Sequence, residues 1–102
     1  MKKRILVVED DRHMANLIQV RLKKEGYGVE CVYDGVEALR IVERYLLDCM
    51  LLDWMLPKME GIEVCRQVRY QHDFPIIMIS GRTAELDIVL ALELGATEML
   101  GG

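Results

Sequence analysis

Four acidic residues follow two apolar runs in this 102-residue sequence. Glu9, Asp10 and Asp11 come directly after ILVV, and Asp53 ends the run CMLLD. Carboxylates that share a small space repel one another unless a cation lies between them or some are protonated. A hard, oxygen-seeking cation such as Mg²⁺ would relieve that repulsion. Asp53 would then be placed to attack phosphorus and form an aspartyl phosphate, with Mg²⁺ offsetting the charge on the transferring group.

Ser80 ends a later apolar run, PIIMIS, and its hydroxyl is a candidate hydrogen-bond donor to a phosphoryl oxygen. Each of these residues also has a simpler interpretation. The acids after ILVV are equally typical of solvated loop residues or helix N-caps. A serine at the end of a strand is often a turn or cap residue.

The elements that must position these side chains are predicted by hydrophobic periodicity. Short apolar runs alternate with longer segments of helical period, a pattern typical of an α/β domain built on a parallel sheet. We predict strands at residues 5–8, 29–33, 49–53, 75–80 and 97–100. We predict helices at residues 12–25, 35–45, 62–71 and 84–94.

Local signals support the helix boundaries. Gly26 is placed to end the first helix, and Asp34 is a candidate N-cap for the second, with Glu37 three residues later. The apolar stripe of the first helix is predicted to include Leu17, and that of the third to include Ile62. In parallel sheets, ligands bind beyond the carboxyl ends of the strands. If the first and third strands are neighbours, the acidic residues meet at one edge of the sheet.

Composition limits the class of protein. The length suits one domain, and no apolar run is long enough to span a bilayer. The net charge of −4 at pH 7 argues against a nucleic-acid-binding domain, which usually has a basic face. Three cysteines, Cys31, Cys49 and Cys65, lie far apart in apolar surroundings, which favours reduced thiols. We therefore expect a cytoplasmic protein.

Four segments resemble the response-regulator receiver domain of two-component signalling: ILVVEDD, LLDWMLPKMEGIEV, PIIMISGR and LELGATEML. They occur in the family's order and span nearly the whole chain. The segment DWMLP resembles receivers that precede a winged-helix DNA-binding domain. The resemblance implies a flavodoxin-like, doubly wound parallel sheet with strand order 2-1-3-4-5.

The resemblance also implies a role for each matching residue. Asp53 would be the phosphoacceptor and Asp10 a direct Mg²⁺ ligand. Glu9 would bind Mg²⁺ directly or through water, and the backbone carbonyl of Met55 would complete the protein ligands. Ser80 matches the hydroxyl residue that contacts the phosphoryl group. The implied partner is a sensor histidine kinase, and the chain would catalyse only its own phosphorylation and dephosphorylation, without being an enzyme in the usual sense.

The C-terminus departs from the family pattern. The lysine that receivers carry after the fifth strand falls on Gly102, the aromatic switch residue falls on Met99, and no final helix follows. We therefore expect residues 1–102 to be one receiver domain truncated near its fifth strand. Without an effector domain, this chain would not bind nucleic acid directly, whereas the full-length protein would regulate transcription.

The fourth predicted helix is too apolar to bury every apolar side chain on one stripe. Ile88 and Leu90 are the candidates for its outward side, and they would favour homo-oligomers or strand exchange. Alternatively, they pack over the sheet face that the missing helix would leave exposed.

Two other functions stay open at this point. A pseudo-receiver would keep the fold and act only as a protein-interaction module, which the missing lysine favours and the retained acids oppose. A Mg²⁺-dependent aspartyl phosphohydrolase would use the same nucleophile. Such enzymes typically place that nucleophile on the first strand in a D-x-D pattern, whereas Asp53 ends the third run.

Overall fold

Four parallel strands form one sheet in the computed structural model, which describes residues 2–79. The strands are β1 (Arg4–Val8), β2 (Gly28–Val32), β3 (Cys49–Asp53) and β4 (Ile76–Ile79). The helices are α1 (Arg12–Lys24), α2 (Gly35–Arg44) and α3 (Gly61–Arg69). The sheet order β2-β1-β3-β4 confirms the flavodoxin-like α/β architecture and the predicted order of the first four strands. The predicted fourth helix, the fifth strand and the chain's C-terminal end lie outside the described residues.

Both faces of the sheet are covered, because the side chains of β1 and β3 alternate between two apolar clusters. One cluster includes Leu6 and Leu52 together with residues of α2 and α3. The other includes Val7 and Leu51 together with Ile18 of α1. A strand that is buried on both faces needs a nearly continuous apolar sequence, which explains the runs ILVV and CMLL.

The helix ends follow the predicted caps. Asp11 is the N-cap of α1, where its side chain accepts hydrogen bonds from the backbone N–H groups of His13 (3.0 Å) and Met14 (3.2 Å). Asp34 caps α2 by accepting the N–H of Glu37 at 2.9 Å. Gly26, just after α1, has a φ of 95°, a conformation that glycine adopts without a steric penalty.

Two residues predicted to belong to buried stripes are on the outer side of their helices. Leu17 is 37% exposed and Ile62 is 50% exposed. In α1 the buried positions are taken by Ala15, Ile18 and Leu22. The predicted stripe of α1 was wrong at Leu17 because a periodicity argument gives a small residue such as alanine less weight than a leucine. The helix buries Ala15 and leaves Leu17 partly exposed.

All three cysteines are free thiols, as predicted. Burial raises the pKa of Cys49 to about 12, so this thiol stays protonated and unreactive near neutral pH. Among the described helices, none combines the length and the apolar character needed to cross a bilayer.

The start of α3 lies directly against the backbone at the end of β3. The N–H of Gly61 donates to the carbonyl oxygen of Trp54 at 3.0 Å. A Cβ atom at Gly61 would overlap the carbonyl oxygen of Asp53. The absence of a side chain at Gly61 therefore sets how closely α3 approaches Asp53.

We expect Gly61→Ala to lower the free energy of unfolding by about 2–3 kcal/mol, because the added methyl group forces α3 away from the backbone of Asp53. Gly28→Ala is the matched control, since a Cβ there would meet only the Lys3 carbonyl oxygen, at an ordinary 3.8 Å. Urea unfolding of both variants measures the difference. Equal unfolding midpoints for the two variants would contradict the close approach described here.

Candidate functional site

Three carboxylates converge at the carboxyl edge of the sheet. Glu9, Asp10 and Asp53 each place one oxygen so that the three atoms lie within 4.8 Å of one another. The register explains this proximity, because β1 and β3 are parallel neighbours in which Val8 pairs with Leu52. The residues that follow this pair, Glu9 and Asp53, are both acids and lie at the same level of the sheet.

Two of the three side chains are removed from water. Glu9 is 3% exposed and Asp53 is 8% exposed, whereas Asp10 is exposed. Solvated acidic loop residues would not be buried in this way. Burying a carboxylate disfavours its charged form unless hydrogen bonds or a cation compensate.

Glu9 shows the consequence of this crowding. The pKa of Glu9 is raised from 4.5 to about 8, chiefly by burial and also by its interactions with the carboxylates of Asp53 and Asp10. A hydrogen bond from the Asp11 N–H to Glu9 Oε2, at 3.1 Å, acts in the opposite direction. Near neutral pH, the protein without a bound cation therefore keeps a proton on Glu9.

Within residues 2–79, no basic side chain forms an ion pair with this cluster. The ion pairs there join other groups: Arg21 with Glu25, Lys58 with Asp34, and Arg66 with Glu63. Asp53 Oδ1 accepts a long hydrogen bond, 3.4 Å, from the N–H of Met55. Three carboxylates that have no basic ion-pair partner in the described part of the chain fit a hard divalent cation, and the all-oxygen donor set suits Mg²⁺.

The predicted site residues fall into three groups. Glu9, Asp10 and Asp53 come together at one edge of the sheet. Met55 lies in the following loop with its side chain 81% exposed and its N–H directed to Asp53. Ser80 lies outside the described residues, and the metal-binding and phosphoacceptor roles stay predictions.

Asp11 is the acid that the structure separates from this set. Its carboxylate accepts the N–H groups at the start of α1, so the N-cap interpretation holds for this residue. Trp54, next to Asp53, is half-buried and packs against the apolar cluster that α2 and α3 cover.

Sequence reasoning missed Lys58. Its Nζ lies 3.4 Å from Asp34 Oδ2, and its backbone φ is 69°. No periodicity or motif predicts such a contact, because the two residues belong to different loops and meet only once the sheet order is known.

Comparisons with known proteins agree with this geometry. A family model described as the response regulator receiver domain matches residues 5–101. A CheY-like receiver domain protein from Methanospirillum hungatei is similar to the chain with 30% identity and a TM-score of 0.81, covering 99% of this chain and 82% of that one.

Two further solved structures are similar over nearly the whole chain. The BeF3-activated N-terminal receiver domain of Klebsiella pneumoniae RstA has 32% identity and a TM-score of 0.80, covering 97% of this chain and 85% of that one. The response regulator TrrA from Thermotoga maritima, in complex with Mg²⁺ and BeF, has 30% identity and a TM-score of 0.80, covering 98% and 86%.

The raised pKa of Glu9 predicts an unusual dependence of stability on pH. Between about pH 4.5 and pH 8 the folded protein holds a proton on Glu9 that the unfolded chain has released, so without metal the free energy of unfolding falls as pH rises through this window. The glutamine in Glu9→Gln stays neutral at every pH, so this variant should not lose stability as pH rises through the window. Above pH 8 we expect its free energy of unfolding to exceed that of the wild type by roughly 1–2 kcal/mol.

Urea unfolding in EDTA at the two ends of this window measures the effect. Glu43→Gln, the same change at an exposed position of α2, is the control and should behave like the wild type. If Glu9→Gln and wild type lose stability equally as pH rises, Glu9 is not protonated in the folded state.

Proposed function

The chain belongs to the response regulator receiver domain family, and from that premise we propose that Asp53 accepts a phosphoryl group from a sensor histidine kinase at a Mg²⁺ site. The observation that carries the proposal is the cluster of Glu9, Asp10 and Asp53, whose oxygens lie within 4.8 Å of one another while two of the side chains are buried. Such a cluster is costly to build in a metal-free protein, which supports a site made for a cation.

Each residue of the site has a distinct task in this proposal. Glu9, Asp10, Asp53 and the backbone carbonyl of Met55 would hold Mg²⁺, which supplies a positive charge next to the transferring phosphoryl group. The N–H of Met55 restrains Asp53 Oδ1 and so orients the carboxylate. Orientation of the nucleophile lowers the entropic part of the barrier.

The chemistry is a single displacement at phosphorus. A carboxylate oxygen of Asp53 forms the new P–O bond while the P–N bond of the kinase phosphohistidine breaks. The bonding electrons go to the imidazole nitrogen of the kinase, which is a good leaving group when it is protonated. Hydrolysis of the aspartyl phosphate by water later returns Asp53 to its carboxylate form.

The related proteins support the choice of cation. TrrA, at 30% identity, was solved in complex with Mg²⁺ and BeF. RstA, at 32% identity, is in a BeF3-activated form. We extend the Mg²⁺ binding of TrrA to this chain because its cluster offers the hard oxygen ligands that Mg²⁺ prefers.

The remaining roles follow from the sequence pattern. Ser80, directly after β4, would contact the phosphoryl group and carry the change to neighbouring elements. The DWMLP segment supports a transcription-regulating protein as the setting of this domain. Self-association through Ile88 and Leu90 would be one way in which phosphorylation is passed on.

We expect a single phosphoryl adduct on the wild-type chain after incubation with Mg²⁺ and acetyl phosphate, because the donor needs only an oriented nucleophile and a cation. Intact-mass spectrometry measures the adduct. Asp53→Asn, or the wild type in EDTA, should show none. Folded wild-type protein that binds Mg²⁺ and still shows no adduct would favour the pseudo-receiver function instead.

A further inference from the structure

Lys58 has a backbone conformation that a lysine rarely adopts. It lies in loop 54–60, which connects Asp53 to α3, and its φ is 69°. Among the described residues it is the one non-glycine residue with a positive φ. The left-handed region is sterically unfavourable for a side chain with a Cβ atom, so the surrounding structure must hold Lys58 there.

An ion pair ties the Lys58 side chain to the start of α2. Lys58 Nζ lies 3.4 Å from Asp34 Oδ2, while the other oxygen of Asp34 accepts the Glu37 N–H at 2.9 Å. The Glu37 N–H and then the charge of Lys58 lower the pKa of Asp34, so its carboxylate is ionised. Asp34 is only 8% exposed and caps α2, so it is a fixed partner for Lys58, whose side chain is 65% exposed.

The ion pair joins two segments at the edge of the sheet that carries the acidic cluster. Asp34 follows β2 and Lys58 follows β3, and these two strands flank β1. The pair therefore joins the segments that follow the two strands on either side of β1, the strand from which Glu9 and Asp10 emerge. The two loops also touch beside it, because a Cβ at Gly35 would lie 3.0 Å from the Cβ of Met59.

We infer that Lys58 is a positioning residue for the site: its ion pair with Asp34 holds loop 54–60 so that the backbone of Met55 stays beside the Asp53 carboxylate. The hydrogen bond from Met55 to Asp53 is long, 3.4 Å, so a small loop movement would break it. As far as it concerns Mg²⁺, the inference rests on the proposed function.

The first test is a titration of the Lys58→Met variant with Mg²⁺. The fluorescence of Trp54, which is adjacent to Asp53, reports binding. We expect the dissociation constant for Mg²⁺ to rise about three- to tenfold, less than the roughly 10–100-fold loss typical of a residue that bonds directly to a metal ligand, because Lys58 acts through the loop. Lys58→Arg keeps the cation and should stay within about twofold of the wild type. Arg66→Met, which removes the exposed ion pair with Glu63 on α3, is the matched control and should bind Mg²⁺ like the wild type.

The second test needs no metal. Hydrogen exchange of the Met55 and Gly61 amides, which bond to Asp53 Oδ1 and the Trp54 carbonyl, should be faster in Lys58→Met but unchanged in Arg66→Met. Lys58→Gly separates strain from the ion pair. Glycine relieves the unfavourable φ and should make the protein more stable than Lys58→Met, yet it should bind Mg²⁺ equally weakly because no cation reaches Asp34.

The two proposals fail in different ways. If the wild type does not bind Mg²⁺, the proposed function fails, and the exchange experiment alone decides whether Lys58 restrains the loop. If the wild type binds Mg²⁺ and Lys58→Met has the same dissociation constant and the same exchange rates, the role of Lys58 is overturned. If Lys58→Gly regains wild-type Mg²⁺ affinity, backbone strain rather than the ion pair governs the loop, which also overturns the inference.

Discussion

Glu9 directly follows β1 and Asp53 ends the adjacent strand β3, and the carboxylate of Asp53 makes ionisation of Glu9 more costly. With Asp10 they form a cluster whose charge must be neutralised, either by a proton on Glu9 or by a bound cation. A Glu9 carboxylate that binds the cation cannot keep its proton, so the proton and the cation compete at Glu9. The site therefore links proton binding, cation binding and the stability of the fold through one group of oxygens.

The rest of the domain maintains this arrangement. Apolar cover on both faces of the sheet fixes the register of β1 and β3, so the acids cannot separate without exposing the core. Gly61 brings α3 against the backbone of Asp53, and the Lys58–Asp34 ion pair ties the following loop to α2. The packed core thus sets the position of the carboxylates, and in the proposed function a few loop contacts orient Asp53 as the nucleophile.

The sequence predicted the elements of this fold closely where burial on both faces leaves a strong pattern. CMLLD matches β3 residue for residue, and Asp34 caps α2 as its spacing to Glu37 indicates. Convergence of Glu9, Asp10 and Asp53 followed from strand order, which the right-handed crossover rule limits strongly. Other features were beyond the sequence because they depend on contacts between distant segments. The exposure of Leu17 and Ile62 and the pairing of Lys58 with Asp34 are decided by tertiary packing that no periodicity encodes. The cap role of Asp11, in contrast, was one of the interpretations that the sequence left open.

Calorimetric titration with Mg²⁺ in two buffers of different ionisation enthalpy counts the protons released when the cation binds, and so shows whether the cation displaces the proton on Glu9. Near pH 7 a Glu9 with a pKa of about 8 is mostly protonated, so we expect close to one proton to be released per Mg²⁺ bound. The release should vanish well above pH 8 and in Glu9→Gln. Binding of Mg²⁺ near pH 7 without proton release, or no binding at all, would show that the cation does not replace a proton in this cluster.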